Sequence, residues 1–372
     1  MIIGFDAKRA FFNTSGLGNY SRNTIKLLSK YYNENTYFLY SPSLKNKINF
    51  IDSPNVIFKK PDSLIGNSFK SYWRSFLLTQ QLEKDNINIY HGLSNELPSK
   101  INKSKIKSVV TIHDLIFLRY PNLYKKIDRE IYKKKFQYSC FAADKIIAVS
   151  NQTKADIVNF LNINESKIEV VYQGCNLIFK KKVDNFEKEN ILNKYKLPAQ
   201  YILYVGTIEQ RKNLLNLIKA VHIGCINIPI VAIGKPTAYI NKIKEYISIN
   251  KLEKRVFLYH NVSIEELPVF YQMAEMFVYP STFEGFGIPI IEAMYSGIPV
   301  ITSRGGCFSE AGGKNSIYID PENIEEILSA IKNVASDPIL KQKMIKTGLE
   351  HANNFNEDVI ANNLMSVYNN LQ

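Results

Sequence analysis

The 372-residue sequence predicts an α/β protein made of two doubly wound domains, each built on a mainly parallel sheet. Three observations lead there. The chain is too long for one ordinary core of ~150 residues. Short apolar strand candidates alternate with amphipathic helical stretches over most of its length. The alternation also breaks once, in the charged stretch LIFKKKVDNFEKENILNKYKLPAQ, and then restarts. A composition of 45% hydrophobic and 22% charged residues, without a low-complexity tract or fixed-period repeat, excludes a fibre or a disordered tail.

In chain order, the first domain's strands are expected at MIIGFDA, TYFLYS, NVIFK, INIYHGL, SVVTIHDL, KIIAVS and IEVVYQG, with helices at about 18–32, 69–84, 124–142 and 151–161. The charged stretch reads as a linker. The second domain's strands are expected at YILYVGT, IPIVAIG, RVFLYHN, MFVYP, IPVITS and SIYID. Its helices are expected from about 212, near 238–250 and at 289–296, and three more close the chain at 322–335, 338–353 and 357–371. The predicted domains are 1–180 and 181–356, with the closing helix, about 357–372, free to return to the first. Such folds bind ligands at the carboxyl ends of their strands, so chemistry is sought there.

The net charge of +13 resides in one half. Residues 1–180 carry 27 Lys and Arg against 14 Asp and Glu, whereas residues 181–372 carry 20 of each. The basic clusters are Lys100, Lys103, Lys105 and Lys107, and then YKKIDREIYKKKF at 124–136. They fit an anionic membrane surface, or a plain solvated helix face. Nucleic acid is set aside, because no aromatic stacking motif or recognition helix accompanies them. Neither a signal peptide nor an apolar run of ~18 residues is visible. Four scattered cysteines read as buried free thiols, so a cytoplasmic chain is expected.

Three motifs sit at expected strand ends. TSGLGNYSRNTIKLL, 14–28, is a Gly-x-Gly turn feeding a helix, suited to a phosphate or acceptor loop. Its glycines lie about ten residues beyond the first strand and no ribose-binding acid follows, which argues against a dinucleotide fingerprint; a plain tight turn stays open. YVGTIEQRKNLLNLIKA, 204–220, places Arg211 and Lys212 where a diphosphate could be neutralised, or where a solvated pair would be ordinary. STFEGFGIPIIEAMYSGIPVITS, 281–303, sets Glu284 and Glu292 eight positions apart across a Gly-Phe-Gly turn. Pro289 and Gly297 bound the helix that follows, with Glu292 expected in its first turn. A carboxylate accepts two hydrogen bonds in a fork that matches vicinal sugar hydroxyls. Two such acids flanking the amides of Phe286, Gly287 and Ile288 can span ribose, diphosphate and hexose; the plainer reading is that Glu292 complements the helix dipole.

That stretch resembles the E-x7-E signature of retaining glycosyltransferases of family 4, which have the GT-B fold. Other stretches agree in order: GLGNYSRN resembles the family's glycine loop, VTIHDLIFLRYP the HDL segment of its mannosyltransferase-like bacterial members, IIAVSNQTKADI its A-V-S-x-x-T stretch and VGTIEQRKNL its R-K site. The resemblance implies two Rossmann-like domains across a cleft, the first binding acceptor and the second nucleotide-sugar. It implies that Glu292 binds the ribose and Glu284 the transferred sugar. Arg211 and Lys212 would hold the diphosphate, with the amides of Gly285, Phe286, Gly287 and Ile288 and with Gly16 and Gly18. His113 would lie beside the reacting carbon, although a satisfied buried histidine is the other reading, and His91 divides the same way. One departure affects the donor: where many relatives read like S-N-x-S-S-x-P-E-V, this chain has SRGGCFSEAGG, keeping Glu310 but introducing Arg304, Gly305, Gly306 and Phe308.

No Asp-x-Asp occurs, so the expectation is a transferase with no divalent metal and no cofactor. Diphosphate charge would be met by Arg211, Lys212 and helix amides. The resemblance favours front-face substitution with retention, GDP-mannose before UDP-hexose as donor, and a lipid-linked saccharide of O-antigen or capsule assembly as acceptor. Peripheral attachment to the inner membrane face would follow. Rival expectations are a GT-B phosphorylase, a nucleotide-sugar epimerase and a silent sugar-nucleotide binder.

Overall fold

A computed structural model describes residues 1–14, 16–43 and 53–371, so Ser15 of the glycine loop and Gln372 of the closing stretch lie outside the described residues. The chain divides into two compact units, Met1–Gly174 with Asn356–Gln372, and Cys175–Phe355.

The first unit holds a seven-stranded parallel sheet of β1 (Ile2–Asp6), β2 (Thr36–Tyr40), β3 (Val56–Lys59), β4 (Ile89–Gly92), β5 (Lys107–Ile112), β6 (Lys145–Ala148) and β7 (Ile168–Val170). Its order is β3-β2-β1-β4-β5-β6-β7. Parallel strands are covered on both faces, and their sequences are therefore nearly continuous apolar runs. Neighbouring residues feed opposite faces. Ile89, Val109 and Ile147 join the core containing Phe5, Leu28 and Tyr368. Tyr90, Val110 and Ile146 join the core around Trp73, Leu82 and Ile112.

The final helix, Glu357–Asn369, belongs to this unit. Ile360, Leu364 and Tyr368 are buried on the sheet. Lys30 pairs with Glu357 at 2.8 Å, and Tyr32 donates to Asn362 at 2.7 Å.

The second unit's six-stranded parallel sheet comprises β8 (Ile202–Val205), β9 (Ile230–Ile233), β10 (Val256–Tyr259), β11 (Met276–Tyr279), β12 (Val300–Ser303) and β13 (Ile317–Ile319), in the order β10-β9-β8-β11-β12-β13. In both sheets the order turns back beside the first strand, at β1/β4 and β8/β11. That reversal is where a doubly wound sheet opens a ligand crevice at its carboxyl edge.

Several expectations change. The units divide at Gly174 rather than at 180, because Cys175 and Phe179 are buried in the second unit, with Phe179 edge-on to Tyr271 at 5.5 Å. The expected linker contains the helix Asn185–Tyr195, opened by a capping box of Asp184 and Glu187. The second helix of the chain starts at Gly16, so Gly16 and Gly18 lie within its first turn and not in a preceding loop. Of the four free thiols, Cys140, Cys175 and Cys307 are buried but Cys225 is exposed.

Candidate functional site

The candidate site is built at the carboxyl ends of β8 and β11. After β8 the chain forms a short 3-10 turn, Gln210–Lys212, which ends with Asn213 in the left-handed region. After β11, Tyr279 is followed by the loop bearing Ser281, Glu284 and the glycines. Backbone and side chains lock these two connections together. The Thr282 amide donates to the Arg211 carbonyl at 2.8 Å, and the Arg211 guanidinium donates to the Phe283 carbonyl.

Glu284 is the centre of this arrangement. Its Oε1 accepts from Tyr279 and Ser281, each at 2.8 Å, and lies 3.0 Å from Arg211 Nη1 and 3.3 Å from Lys212 Nζ. Lys212 also donates to the Tyr279 hydroxyl at 2.8 Å, and Arg211 pairs with Glu209 at 2.6 Å. Burial raises the pKa of Glu284, but Lys212 and Arg211, joined by the two hydroxyls, outweigh it and hold the carboxyl at about 2. It is an anion at any working pH, and Arg211 stays charged because Glu284 and Glu209 offset its own burial.

Glu292 has a different environment. It sits on the helix Ile288–Tyr295, at that helix's fifth position and therefore beyond the first turn expected for it. Pro289 takes the second position, since the helix opens at Ile288. The Tyr271 hydroxyl donates to Glu292 Oε2 at 2.8 Å. Burial pushes the Glu292 pKa up to about 7, and the Tyr271 hydrogen bond and the more distant Lys212 offset it only in part. Gly287, which caps this helix, has φ +109°, a conformation that a side chain would strain. Phe286 is buried and packs edge-on to Phe355 at 5.5 Å.

The departing segment 303–313 contributes as well. Cys307 opens a short helix, Cys307–Gly312, and donates its thiol to the Glu284 carbonyl at 3.2 Å. Arg304 turns away to Glu326 at 2.5 Å.

The remaining candidates belong to the first unit. His113 is buried edge-on to Tyr20, with Nε2 2.9 Å from the Leu93 carbonyl. A carbonyl only accepts, so Nε2 carries the proton, and Nδ1 faces the Gln173 amide at 3.5 Å. Burial lowers its pKa to about 4, which leaves a neutral, fully partnered ring. His91 is equally engaged, with Tyr368 at 2.7 Å and Thr111 at 2.8 Å, and fastens the final helix to the sheet. A side chain at Gly18 would meet the Asn13 carbonyl at 1.8 Å, so this glycine serves a close approach of backbone. A side chain at Gly16 would meet open space.

Sequence reasoning missed Tyr279, Ser281, Glu209 and Tyr271. The first two stand at the end of an apolar strand, which was the available signal; Tyr271 has none, because its link to Glu292 depends on tertiary packing. Among the described residues, no three His, Cys, Asp or Glu side chains gather in a way that could hold a metal ion.

The comparisons agree with this architecture. The model of Glycosyltransferase Family 4 matches residues 14–178, and that of Glycosyl transferases group 1 matches residues 185–351. The chain is 27% identical over 285 residues to the O-antigen chain mannosyltransferase B of Escherichia coli, covering 75% of this chain and 74% of the relative. It is 31% identical over 229 residues to the O-antigen chain mannosyltransferase RfbU of Salmonella typhimurium, covering 62% and 61% respectively. Among solved structures it resembles Anabaena HepE in complex with UDP and glucose, with a TM-score of 0.75, 16% identity and 99% of each chain covered. Two parallel-sheet α/β units, the paired family models across both halves and the E-x7-E site together mean that the chain belongs to the family 4 glycosyltransferases of GT-B fold.

Proposed function

We propose that this glycosyltransferase moves a hexose, with retention of configuration and without a divalent metal, from a nucleotide-diphosphate sugar to a lipid-linked saccharide in surface-polysaccharide assembly. The observation that carries the reading is the contrast between the two acids. Glu284 is an anion clasped by Arg211, Lys212, Tyr279 and Ser281, while Glu292 is buried beside a single tyrosine. The ribose hydroxyls go to Glu292 and the sugar hydroxyls to Glu284. Arg211 and Lys212 neutralise the diphosphate, with the amides of Gly285, Phe286, Gly287 and Ile288 directed at it; such preorganised donors contribute roughly 3 kcal/mol each to an anionic transition state.

Glu284, engaged by two cations and two hydroxyls, is assigned to the sugar hydroxyls and given no covalent role, in line with the family resemblance. The acceptor hydroxyl attacks from the face the diphosphate leaves, and the departing phosphate oxygen takes its proton. From the first unit we assign Gly16, Gly18 and His113 to the reaction, His113 as a neutral, positioned residue whose ring and main chain are both hydrogen-bonded within the unit. GDP-mannose is the first donor, in line with the mannosyl relatives; UDP-hexose is second, in line with the UDP and glucose bound by HepE.

A peripheral membrane position draws support from the helix Lys126–Ala142, on which Ile127 is 75% and Ile131 46% exposed among lysines. No helix among the described residues is long and apolar enough to cross a membrane.

The test is a turnover assay with GDP-mannose or UDP-glucose and a lipid-linked saccharide extract, in chelator, with the anomeric configuration of the product read by NMR. Acceptor-dependent release of nucleoside diphosphate and an α-linked product are expected. An inverted product, or turnover only after adding a divalent ion, would contradict the reading. Phosphate-dependent cleavage of a glycoside without nucleotide would favour a phosphorylase.

A further inference from the structure

A cavity of about 430 Å³ lies in the first unit, lined by Lys8, Phe12, Pro42, Lys70, Ser71 and Arg74 among others. It opens where β1 and β2 end, at the carboxyl edge of the sheet. Its charges are unevenly satisfied. Arg74 is committed to two carboxylates, Asp6 at 2.9 Å and Glu96 at 2.7 Å. The partly buried Lys8 and the exposed Lys70 form no ion pair among the described residues. Lys8 is half-buried, and burial together with Arg74 lowers its pKa despite the neighbouring Asp6. A cation held in that setting gains from an incoming anion, because the anion restores the charge balance that the protein leaves incomplete.

The segment that supplies Lys70 and Arg74 has an apolar character of its own. Phe69 is 65%, Tyr72 49% and Phe76 55% exposed, with the Tyr72 and Phe76 rings 5.1 Å apart. Phe12, on the cavity wall, is also exposed. Exposed aromatics beside cations without an ion pair match a ligand that joins an anion to an apolar chain; a neutral sugar could stack on the rings but would leave the cations unused.

Resting on the proposed transfer to a lipid-linked saccharide, we infer that this cavity seats the acceptor's phosphoryl group, with Lys8 and Lys70 as its cations and the Phe69–Phe76 segment meeting the attached chain.

The test is titration of the full-length protein with farnesyl phosphate, inorganic phosphate and glucuronate, for wild type and the Lys8→Ala/Lys70→Ala variant, with GDP and UDP as controls. Farnesyl phosphate should bind the wild type more tightly than inorganic phosphate does. The variant should lose about tenfold or more of that affinity, the loss expected for charge-assisted contacts, with nucleotide binding unchanged. Equal farnesyl phosphate affinity in both proteins would overturn the assignment, as would binding of glucuronate in preference to either phosphate. Failure of the wild type to bind any nucleotide would count instead against the transferase reading, and the separate nucleotide titration keeps the two failures apart. A Phe69→Ser/Phe76→Ser variant adds a check: it should weaken farnesyl phosphate and leave inorganic phosphate unaffected. A uniform effect on both would contradict the role given to the chain.

Discussion

Glu284 and Glu292 are both largely buried carboxyls eight residues apart, yet one is held at about 2 and the other pushed to about 7. The difference is the company each keeps: two cations and two hydroxyls for Glu284, one phenol for Glu292. If Glu292 grips ribose as a carboxylate, nucleotide binding must deprotonate it, so the Kd should rise as pH falls below about 7, by up to about tenfold per unit for one coupled proton. Glu292→Gln should flatten that profile in a calorimetric pH series. For folding the sign is opposite: a carboxyl whose folded pKa exceeds its unfolded value of about 4.5 contributes stability that is lost as pH rises from about 4.5 through 7. Tyr279→Phe removes the hydroxyl that bridges Lys212 and Glu284; kcat should fall about tenfold, while GDP or UDP affinity stays near wild type. Glu284, Arg211 and Lys212 stood out in the sequence because charged residues just past apolar strands are conspicuous, and the structure brings these three together. Tyr279 and Tyr271 did not, because a tyrosine in an apolar run looks like core until its hydroxyl finds a partner.

At the level of elements, the thirteen strands among the described residues fall on the apolar runs named from the sequence, since a parallel strand covered on both faces leaves an unbroken hydrophobic signature. The helix Asn185–Tyr195 escaped notice for the converse reason. Ile191 is its one buried residue, so almost no apolar stripe marks it, and it depends on its Asp184–Glu187 capping box. Asp184→Ala should therefore lower thermal stability by about 1 kcal/mol in a denaturation series. Gly18 presents the stronger local constraint: with the Asn13 carbonyl 1.8 Å from any added Cβ, Gly18→Ala must displace the helix start. That variant should destabilise the first unit by about 2 kcal/mol or more, whereas Gly16→Ala, facing open space, should stay near wild type in stability.

For the whole molecule, the charge asymmetry visible in the sequence coincides with a first unit that carries both the lysine-rich helix and a cationic cavity. Lys135 is paired with Glu96 at 3.3 Å, so the surface-active residues of that helix are expected to be Lys133 and Lys134 with Ile127 and Ile131. Replacing the two lysines by Gln and the two isoleucines by Ser should abolish co-sedimentation with anionic liposomes; unchanged sedimentation would return the helix to an ordinary solvated face. The measurement that bears most directly on the central claim is calorimetric titration of GDP, UDP, GDP-mannose and UDP-glucose, in chelator, into wild type, Glu292→Ala and Glu284→Ala. One nucleotide class should bind, Glu292→Ala should lose the free nucleotide as well as the sugar nucleotide, and Glu284→Ala should keep the nucleotide but lose the added affinity of the sugar. Identical losses in the two variants, or no nucleotide binding by the wild type, would contradict that claim.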